Sequence, residues 1–428
     1  MTEKINDTVK KELLINDAGQ KLPPVRTGVE MIPVNHEERE LIYFHDPQGY
    51  MIKPFILDKQ ISGLLPMLNG QYSVRDINED LKRYDNQVDE NQLLAFVRQL
   101  DEARLLVSPW FRYYKDQVES SFEKATIRPP VCTGQSYPEE KAELTAMLDN
   151  AFSENRSSVN EIPERIKALF APHIDPRVGM ASYVKAFKPL CDIKPERVVL
   201  LATSHYAGMY HPLYDGSPFI LTRKDFETPL GKVSVDKQAV DRLATVSNET
   251  GTSFSDRAHR NEHSIELHLI FLQYLWSHSF EIVPILVGSL EEMYYKRNGD
   301  IGSKVHKMAE TLSEAYGNDD RTLFLISGDL AHIGKKFGDH QPASQMFHDV
   351  KSFDSHFMEK AIADAPDDML QWVGGDYDAY RICGFPPLYT ALSALKNLEG
   401  QITSYELWDE REQESAVTFG SILYAQSP

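Results

Sequence analysis

Three apolar runs of strand length each stop abruptly at a histidine or an acid, and no other feature constrains the fold of this chain as much. Phe324-Leu325-Ile326-Ser327 passes into Gly328-Asp329-Leu330-Ala331-His332. Ile166-Lys167-Ala168-Leu169-Phe170-Ala171 passes through Pro172 to His173, and Val198-Val199-Leu200-Leu201-Ala202 passes through Thr203-Ser204 to His205. A strand buried on both faces reads as a continuous apolar run, and ligands of open α/β sheets gather just beyond the carboxyl ends of such strands. A βαβ unit carries successive parallel strands to the same edge. The three runs therefore predict one pocket that brings together His173, His205, Asp329 and His332.

The surrounding pattern agrees with that architecture. Over residues 162–428 apolar runs alternate with helical periodicity at 178–187, 236–247, 263–277, 303–315, 345–364 and 388–398, and two antiparallel strands close the chain at 402–407 and 417–424. Such alternation predicts an α/β fold, a three-layer α/β/α sandwich on a mostly parallel mixed sheet. Residues 1–36 read as a polar N-terminal arm. Residues 37–115 read as a small winged-helix-like α+β domain: Ser73 is placed to cap a helix over 74–84 with Asp76 at its third position, and Leu93, Leu94, Val97, Leu100 and Leu105 share one helix face. Residues 116–161 read as a linker holding one helix, over 137–152, and the main domain starts near Ile162.

At 428 residues, one large or two unequal domains are expected. A net charge of -19 argues against nucleic-acid and anionic-membrane partners, which need basic patches. No run approaches the roughly 20 apolar residues of a membrane span, and the polar start lacks a secretory core. Three cysteines without a CxxC pair fit a reducing cytoplasm.

Several residue types carry chemistry. Neutral imidazole is the commonest biological ligand for Fe, Cu, Ni and Zn, so two histidines at neighbouring strand ends point to a metal. Pro172 and Pro176 flank His173 and predict a fixed, exposed turn. Asp329 and His332, three apart, would point the same way if the segment turns into a helix, as base and orienter or as support for a metal's ligands, with helix capping as the plainer role. Asn261-Glu262-His263-Ser264-Ile265-Glu266-Leu267-His268 runs into an apolar helix; the H-E-x-x-H order is absent, which excludes a zincin. Glu262 and His263 are expected to line the pocket with Ser204, Tyr206 and Asp175, and His268 to be a solvated helix residue. Cys383 precedes Gly384-Phe385-Pro386-Pro387, so its backbone can approach closely and its thiolate is favoured by a helix N-terminus, as ligand or nucleophile. Cys132 and Cys191 read as structural.

Taken in order, Ala171-Pro172-His173, Ser204-His205, Glu262-His263-Ser264-Ile265-Glu266, Val283-Pro284-Ile285-Leu286-Val287-Gly288, Ser327-Gly328-Asp329-Leu330-Ala331-His332 and Ile382-Cys383-Gly384 resemble the motifs of Memo-family proteins, also known as protein B of the AmmeMemoRadiSam system. That resemblance implies the fold of the class III extradiol dioxygenases, whose non-haem iron is held by two histidines and a carboxylate, with a cysteine replacing the carboxylate. It implies a metal triad of His173, His205 and Cys383, with Asp329 and His332 in the same pocket. Two departures stand beside it: Ile174-Asp175-Pro176 replaces the usual Ala-Gly, and Tyr206 replaces a second histidine. The Asp46-to-Gly49 turn, Leu68-Asn69-Gly70 and the 100–106 stretch resemble PqqD-like domains, which implies a peptide or a radical-SAM enzyme as partner.

The leading expectation is therefore a mononuclear redox-metal protein with Fe(II) or Cu, an oxidoreductase acting on O2 or a small-molecule ligand in the pocket. The alternatives are a non-enzymatic metal- or peptide-binding partner of a radical-SAM enzyme, and a Zn-assisted hydrolase with Asp329 as base.

Overall fold

The structure, a computed structural model, describes residues 7–37, 39–83, 88–154, 163 and 165–426; the expected helix end at Tyr84 and the expected domain start at Ile162 lie outside them. The chain divides into two units, Met1–Lys124 and Ala125–Pro428.

In the first unit, strands β1 (Glu30–His36), β2 (Arg39–His45) and β3 (Phe55–Asp58) form an antiparallel sheet in the order β1-β2-β3. Helices Val74–Arg83 and Glu90–Glu102 bury Val74, Ile77, Leu93, Val97 and Leu100 in one core with Phe44 and Leu57. The first of these helices starts as its sequence predicts. Asp76 N–H donates to Ser73 Oγ (3.2 Å) and Ser73 N–H returns to Asp76 Oδ2 (2.8 Å), so each satisfies an orphan donor of the other. The described part of the stretch expected as a polar arm is packed against this core. A helix spans Asp7–Leu13, Ile15 and Leu22 are buried, and Ile15 N–H donates to Asp101 Oδ2 (3.0 Å). Scattered apolar residues with no period gave no signal, yet long-range hydrogen bonds and a ready-made core suffice to hold them. A helix also runs through Pro109–Lys124, burying Trp110, Phe111, Tyr114 and Phe122, across the expected boundary at residue 115.

The second unit is built on one sheet. Its strands are β4 (Ile127–Arg128), β5 (Ile166–Ala171), β6 (Arg197–Thr203), β7 (Phe219–Leu221), β8 (Asp225–Thr228), β9 (Gly231–Val235), β10 (Thr252–Ser253), β11 (Glu281–Val287), β12 (Thr322–Ser327), β13 (His332–Gly334), β14 (Leu398–Glu410) and β15 (Ser415–Gln426). The main path runs β13-β15-β5-β12-β6-β11-β9-β8-β4, with β14 on β15 and β7 beside β11. At the centre β5, β12, β6 and β11 are all parallel, and β15 closes against β5 antiparallel. The sheet is thus large, mixed and mostly parallel, and among the described residues no helix is long and apolar enough to cross a membrane. The stretch read as a linker belongs to this unit: β4 pairs with β8, and helix Lys141–Glu154 buries Leu144 and Leu148.

Register aligns the strand ends. Ser327 of β12 pairs with Ala171 of β5 on one side and Ala202 of β6 on the other. Every residue of β12 is buried, as is each of Ala168 to Ala171 in β5, which is why these runs show no polar alternation. Helix Pro176–Phe187 starts where Asp175 accepts Arg177 N–H. Helix Phe385–Ala394 starts with prolines in its first turn, three residues before the expected start, because proline there loses no hydrogen bond. Helix Pro366–Gly375 was not anticipated.

β15 also holds the turn after β12. Leu330 N–H donates to Thr418 O (2.9 Å), Thr418 N–H to Ala331 O (2.8 Å) and Ala331 N–H to Thr418 Oγ1 (2.8 Å). Behind it, fully buried Asp354 accepts from Tyr405 Oη (2.8 Å), and burial, only partly offset by Thr418 and Tyr405, pushes its carboxyl up to about 6. Between the unfolded value near 4 and that figure the folded state binds the extra proton, so wild-type stability falls as pH rises through this window. Asp354→Asn, which does not titrate, should gain about 2–3 kcal/mol relative to wild type between pH 4 and pH 7. Urea unfolding at the two pH values measures it, and a constant difference would refute the assignment.

Candidate metal centre

His173 lies two residues past β5. The expectation of an exposed turn is corrected here: its side chain is 2% exposed. The reason is Asp329, whose Oδ1 accepts N–H bonds from His173 (3.0 Å) and Ile174 (3.2 Å) and so folds the loop back over the strand ends. The His173 ring has one tautomer open to it. Nδ1 lies 3.0 Å from Ser327 Oγ, and the Ser327 hydroxyl is already committed to Ser264 O (2.6 Å). Ser327 must therefore accept, Nδ1 carries the proton, and Nε2 is left bare, 3.3 Å from Cys383 Sγ.

His205 is fixed by a different device with the same outcome. Glu262 Oε1 lies 2.8 Å from its Nδ1, and Glu262 Oε2 accepts its backbone N–H at 2.8 Å. A carboxylate only accepts, so Nδ1 is again the protonated nitrogen and Nε2 the free one. Glu262 also caps helix His263–Leu275, accepting from His263 N (3.1 Å) and Ser264 N (3.2 Å). Burial alone would raise its pKa, but His205, His263 and these donors hold it at about 2.

Cys383 arrives from far along the chain. Its position depends on two glycines. A Cβ on Gly328 would lie 2.1 Å from Gly384 Cα, and one on Gly384 would lie 2.8 Å from Asp329 O and 2.9 Å from the Phe170 ring. The two backbones touch, Gly384 N–H donates to Asp329 O (2.9 Å), and Thr203 Oγ1 donates to Cys383 O (2.7 Å). Sγ then receives the Asp329 N–H at 3.3 Å. One donor atom each from His173, His205 and Cys383 lies within 4.8 Å of the others, a set that bonds of about 2.0–2.3 Å to one ion would draw slightly together.

The other predicted residues divide. Asp329 and His332 do not sit on a helix: the Gly328-to-Ala331 turn is irregular and His332 opens β13. Their side chains go separate ways, Asp329 to the His173 loop and the His332 ring to two carbonyls, Leu330 O (3.1 Å) and Arg381 O (3.0 Å), both from Nδ1. His332 Nε2 is consequently an acceptor. His263 stacks on His205 (centroids 4.6 Å) and meets His173 edge-on (5.2 Å), so three imidazoles cluster. Tyr206 lies against His205 at 6.3 Å. Ser204 Oγ is buried with no hydrogen-bond partner among the described residues. Asp175 acts as a helix cap and pairs with Arg177 (2.7 Å). Glu262 and His263 with His205 form a second close set, but the four N–H bonds Glu262 already accepts account for its carboxylate. His268, expected in solvent, is fully buried against Tyr183 and Phe187 with neither ring nitrogen bonded among the described residues, and burial pulls its pKa to about 3.

Desolvation governs the electrostatics. It lowers His173, and brings His263 and His332 to about 4, so all three are neutral near pH 7. It raises the Cys383 thiol, with Asp329 adding to the effect, and pushes Asp329 up to about 7 against the pull of its two N–H donors. His205 differs: burial lowers it, but Glu262 more than compensates and its pKa is raised. The side chains of His205 and His263 remain 28% and 31% exposed, and these give the site its opening.

Sequence reasoning missed Arg128 and the true place of Glu266. Both are fully buried and paired, 138 residues apart, and Glu266 also accepts from Tyr137 Oη and from Cys132 N (2.8 Å). Arg128 fell in the stretch 116–161 read as a linker. A polar residue inside the apolar stretch after residue 263 was the available signal.

The chain is similar to known proteins. The family model described as Memo-like protein matches residues 128–423. A MEMO1 family protein of Aquifex aeolicus is 27% identical over 89% of this chain and 94% of its own length. One from Thermus thermophilus is 26% identical over 82% of this chain and 98% of its own, and one from Nitrosopumilus maritimus is 25% identical over 70% and 99%.

The glycine contact makes a direct test. Gly384→Ala forces a methyl into the Asp329 carbonyl and the Phe170 ring, at a cost of about 1–3 kcal/mol, and should displace Cys383 from the two imidazoles. Thermal unfolding together with metal titration checks it; a variant with wild-type values for both would show that the contact does not place the thiol.

Proposed function

This chain belongs to the Memo family, and from that premise we propose that His173, His205 and Cys383 hold a single redox-active transition metal in an oxidoreductase acting on O2 or a small substrate. The observation that carries the reading is the pair of locked imidazoles, each with Nδ1 occupied and each offering a donor atom within 4.8 Å of the Cys383 thiol. Two imidazoles and a thiolate suit Fe(II) or copper and also accommodate zinc. Bound there, Fe or Cu would supply electron transfer to or from O2 or the substrate. The protein's own part is to exclude water on the β5 and β12 side, to orient the two rings, and to offer His332 Nε2 as a proton acceptor, with Asp329 beside His173 at 3.8 Å.

The parallel centre of the sheet supports a three-layer sandwich and kinship with the class III extradiol dioxygenases. In the same reading the first unit is a PqqD-like winged-helix module and the whole is protein B of an AmmeMemoRadiSam system. Its small sheet exposes Met31 and Ile56, which favours a second reading of the protein as the docking partner of a radical-SAM enzyme or a peptide. Three free cysteines support a cytoplasmic setting.

Anaerobic purification should yield bound Fe or Cu in wild type and little in Cys383→Ser, with the far-UV spectrum preserved. Equal metal in both would end the proposed coordination, and zinc with metal-dependent ester hydrolysis would move the reading to a hydrolase. Deleting residues 1–124 should abolish capture of a radical-SAM enzyme and leave metal content unchanged; loss of both would count against a separate docking module.

A further inference from the structure

We propose that Arg128 is a positioning residue for the ligand His205, acting through the backbone of Glu262; the inference rests on the metal-centre reading above. Arg128 lies in β4, paired at the level of Phe226 in β8, and is fully buried. Its guanidinium donates to the neighbouring Pro129 O (3.1 Å, from Nη1) and holds three more distant acceptors on different bearings. Nε donates to His259 O (3.1 Å), Nη2 to Glu262 O and Nη1 to the Glu266 carboxylate. The first two carbonyls bracket the turn that leads into helix His263–Leu275, and the third acceptor sits on the first turn of that helix.

Glu262 occupies this turn in an extended conformation (φ -71°, ψ 126°). Its carbonyl is held by Arg128 on one side of the residue, and its carboxylate reaches His205 N and Nδ1 on the other, both at 2.8 Å. With the carbonyl fixed, the direction in which the side chain leaves the backbone is fixed too. The His205 ring therefore inherits its orientation from a guanidinium that does not touch it. Glu266 is the anchor at the far end, receiving Val131 N (2.9 Å), Cys132 N (2.8 Å) and Tyr137 Oη as well as Arg128. The same segment reaches the other histidine loop, where Ser136 Oγ donates to Asp175 Oδ2 (2.9 Å).

The choice of arginine follows. A lysine would keep the charge beside Glu266, but its compact head cannot match the fixed fork that serves Glu266, Glu262 O and His259 O together. Outer groups that orient ligating histidines typically alter metal affinity 10- to 100-fold when removed.

The test uses the full-length chain and Co(II) alone, whose thiolate charge-transfer band reports Cys383 and whose ligand-field bands report geometry. Arg128→Lys should bind Co(II) about 10- to 100-fold more weakly while keeping the thiolate band. Glu262→Gln should weaken binding similarly, and the double variant should be no weaker than Glu262→Gln, because coupled residues are non-additive. Wild-type affinity in Arg128→Lys, or losses that add in the double variant, would overturn the proposal. Should Arg128→Lys not fold, Tyr137→Phe, which removes one Glu266 donor, is expected to weaken Co(II) in the same direction but not in a Glu262→Gln background; no change would be equally fatal. A wild type with no thiolate band, or a band that survives Cys383→Ser, would bring down the metal-centre reading and this inference with it. A normal wild-type band with unaltered Arg128→Lys affinity sinks the inference alone.

Discussion

The Glu262 carboxylate is the group on which the site depends. It sits at a helix N-terminus where four N–H groups converge, three of the backbone and one of the His205 ring. A carboxylate that is 1% exposed would be costly without such partners. The donors that make its burial tolerable are the same ones that fix His205. The helix, the β6 loop and the ring are therefore held by one set of hydrogen bonds, and none can shift without stranding a charge. Ser327 serves His173 in the same way with a neutral hydroxyl.

Beneath these bonds lies the register of the sheet. Because Ser327, Ala171 and Ala202 are level, residues two or three positions further on emerge at one edge. The third donor comes from no strand end. Cys383 is brought in by contact between Gly328 and Gly384, where the turn after β12 and the loop before helix Phe385–Ala394 approach without side chains. The low dielectric that follows from this packing keeps His173 neutral and the Cys383 thiol protonated, while Glu262 raises the pKa of His205, so a metal must displace the thiol proton to bind.

Much of this was legible because its causes are local or periodic. Continuous apolar runs announced β5, β6 and β12, and the prolines after Gly384 announced a helix. Ser73 and Asp76 announced their capping exchange. What failed was set by distant neighbours. His268 looked solvated because its helical position is polar in the sequence, yet Tyr183 and Phe187 close over it. His332 was expected on a helix with Asp329; instead β15 takes the hydrogen bonds that a helix would have used and draws His332 into β13. Residues 1–36 were read as an arm because no period marked them, although single apolar side chains such as Leu22 suffice when a core already waits.

The amino-acid sequence by itself determined the elements and the inventory: a buried parallel sheet, histidines at two of its strand ends, an acid at a third and a cysteine before a helix. Periodicity and chain stiffness act over a few residues, so the order of residues carries them directly. Tertiary structure alone decided which nitrogen of each ring is free, that Asp329 supports a loop, and that Arg128 meets Glu266 across 138 residues. Those outcomes depend on which buried donor finds which acceptor, and that is settled only when the whole chain has excluded water from them.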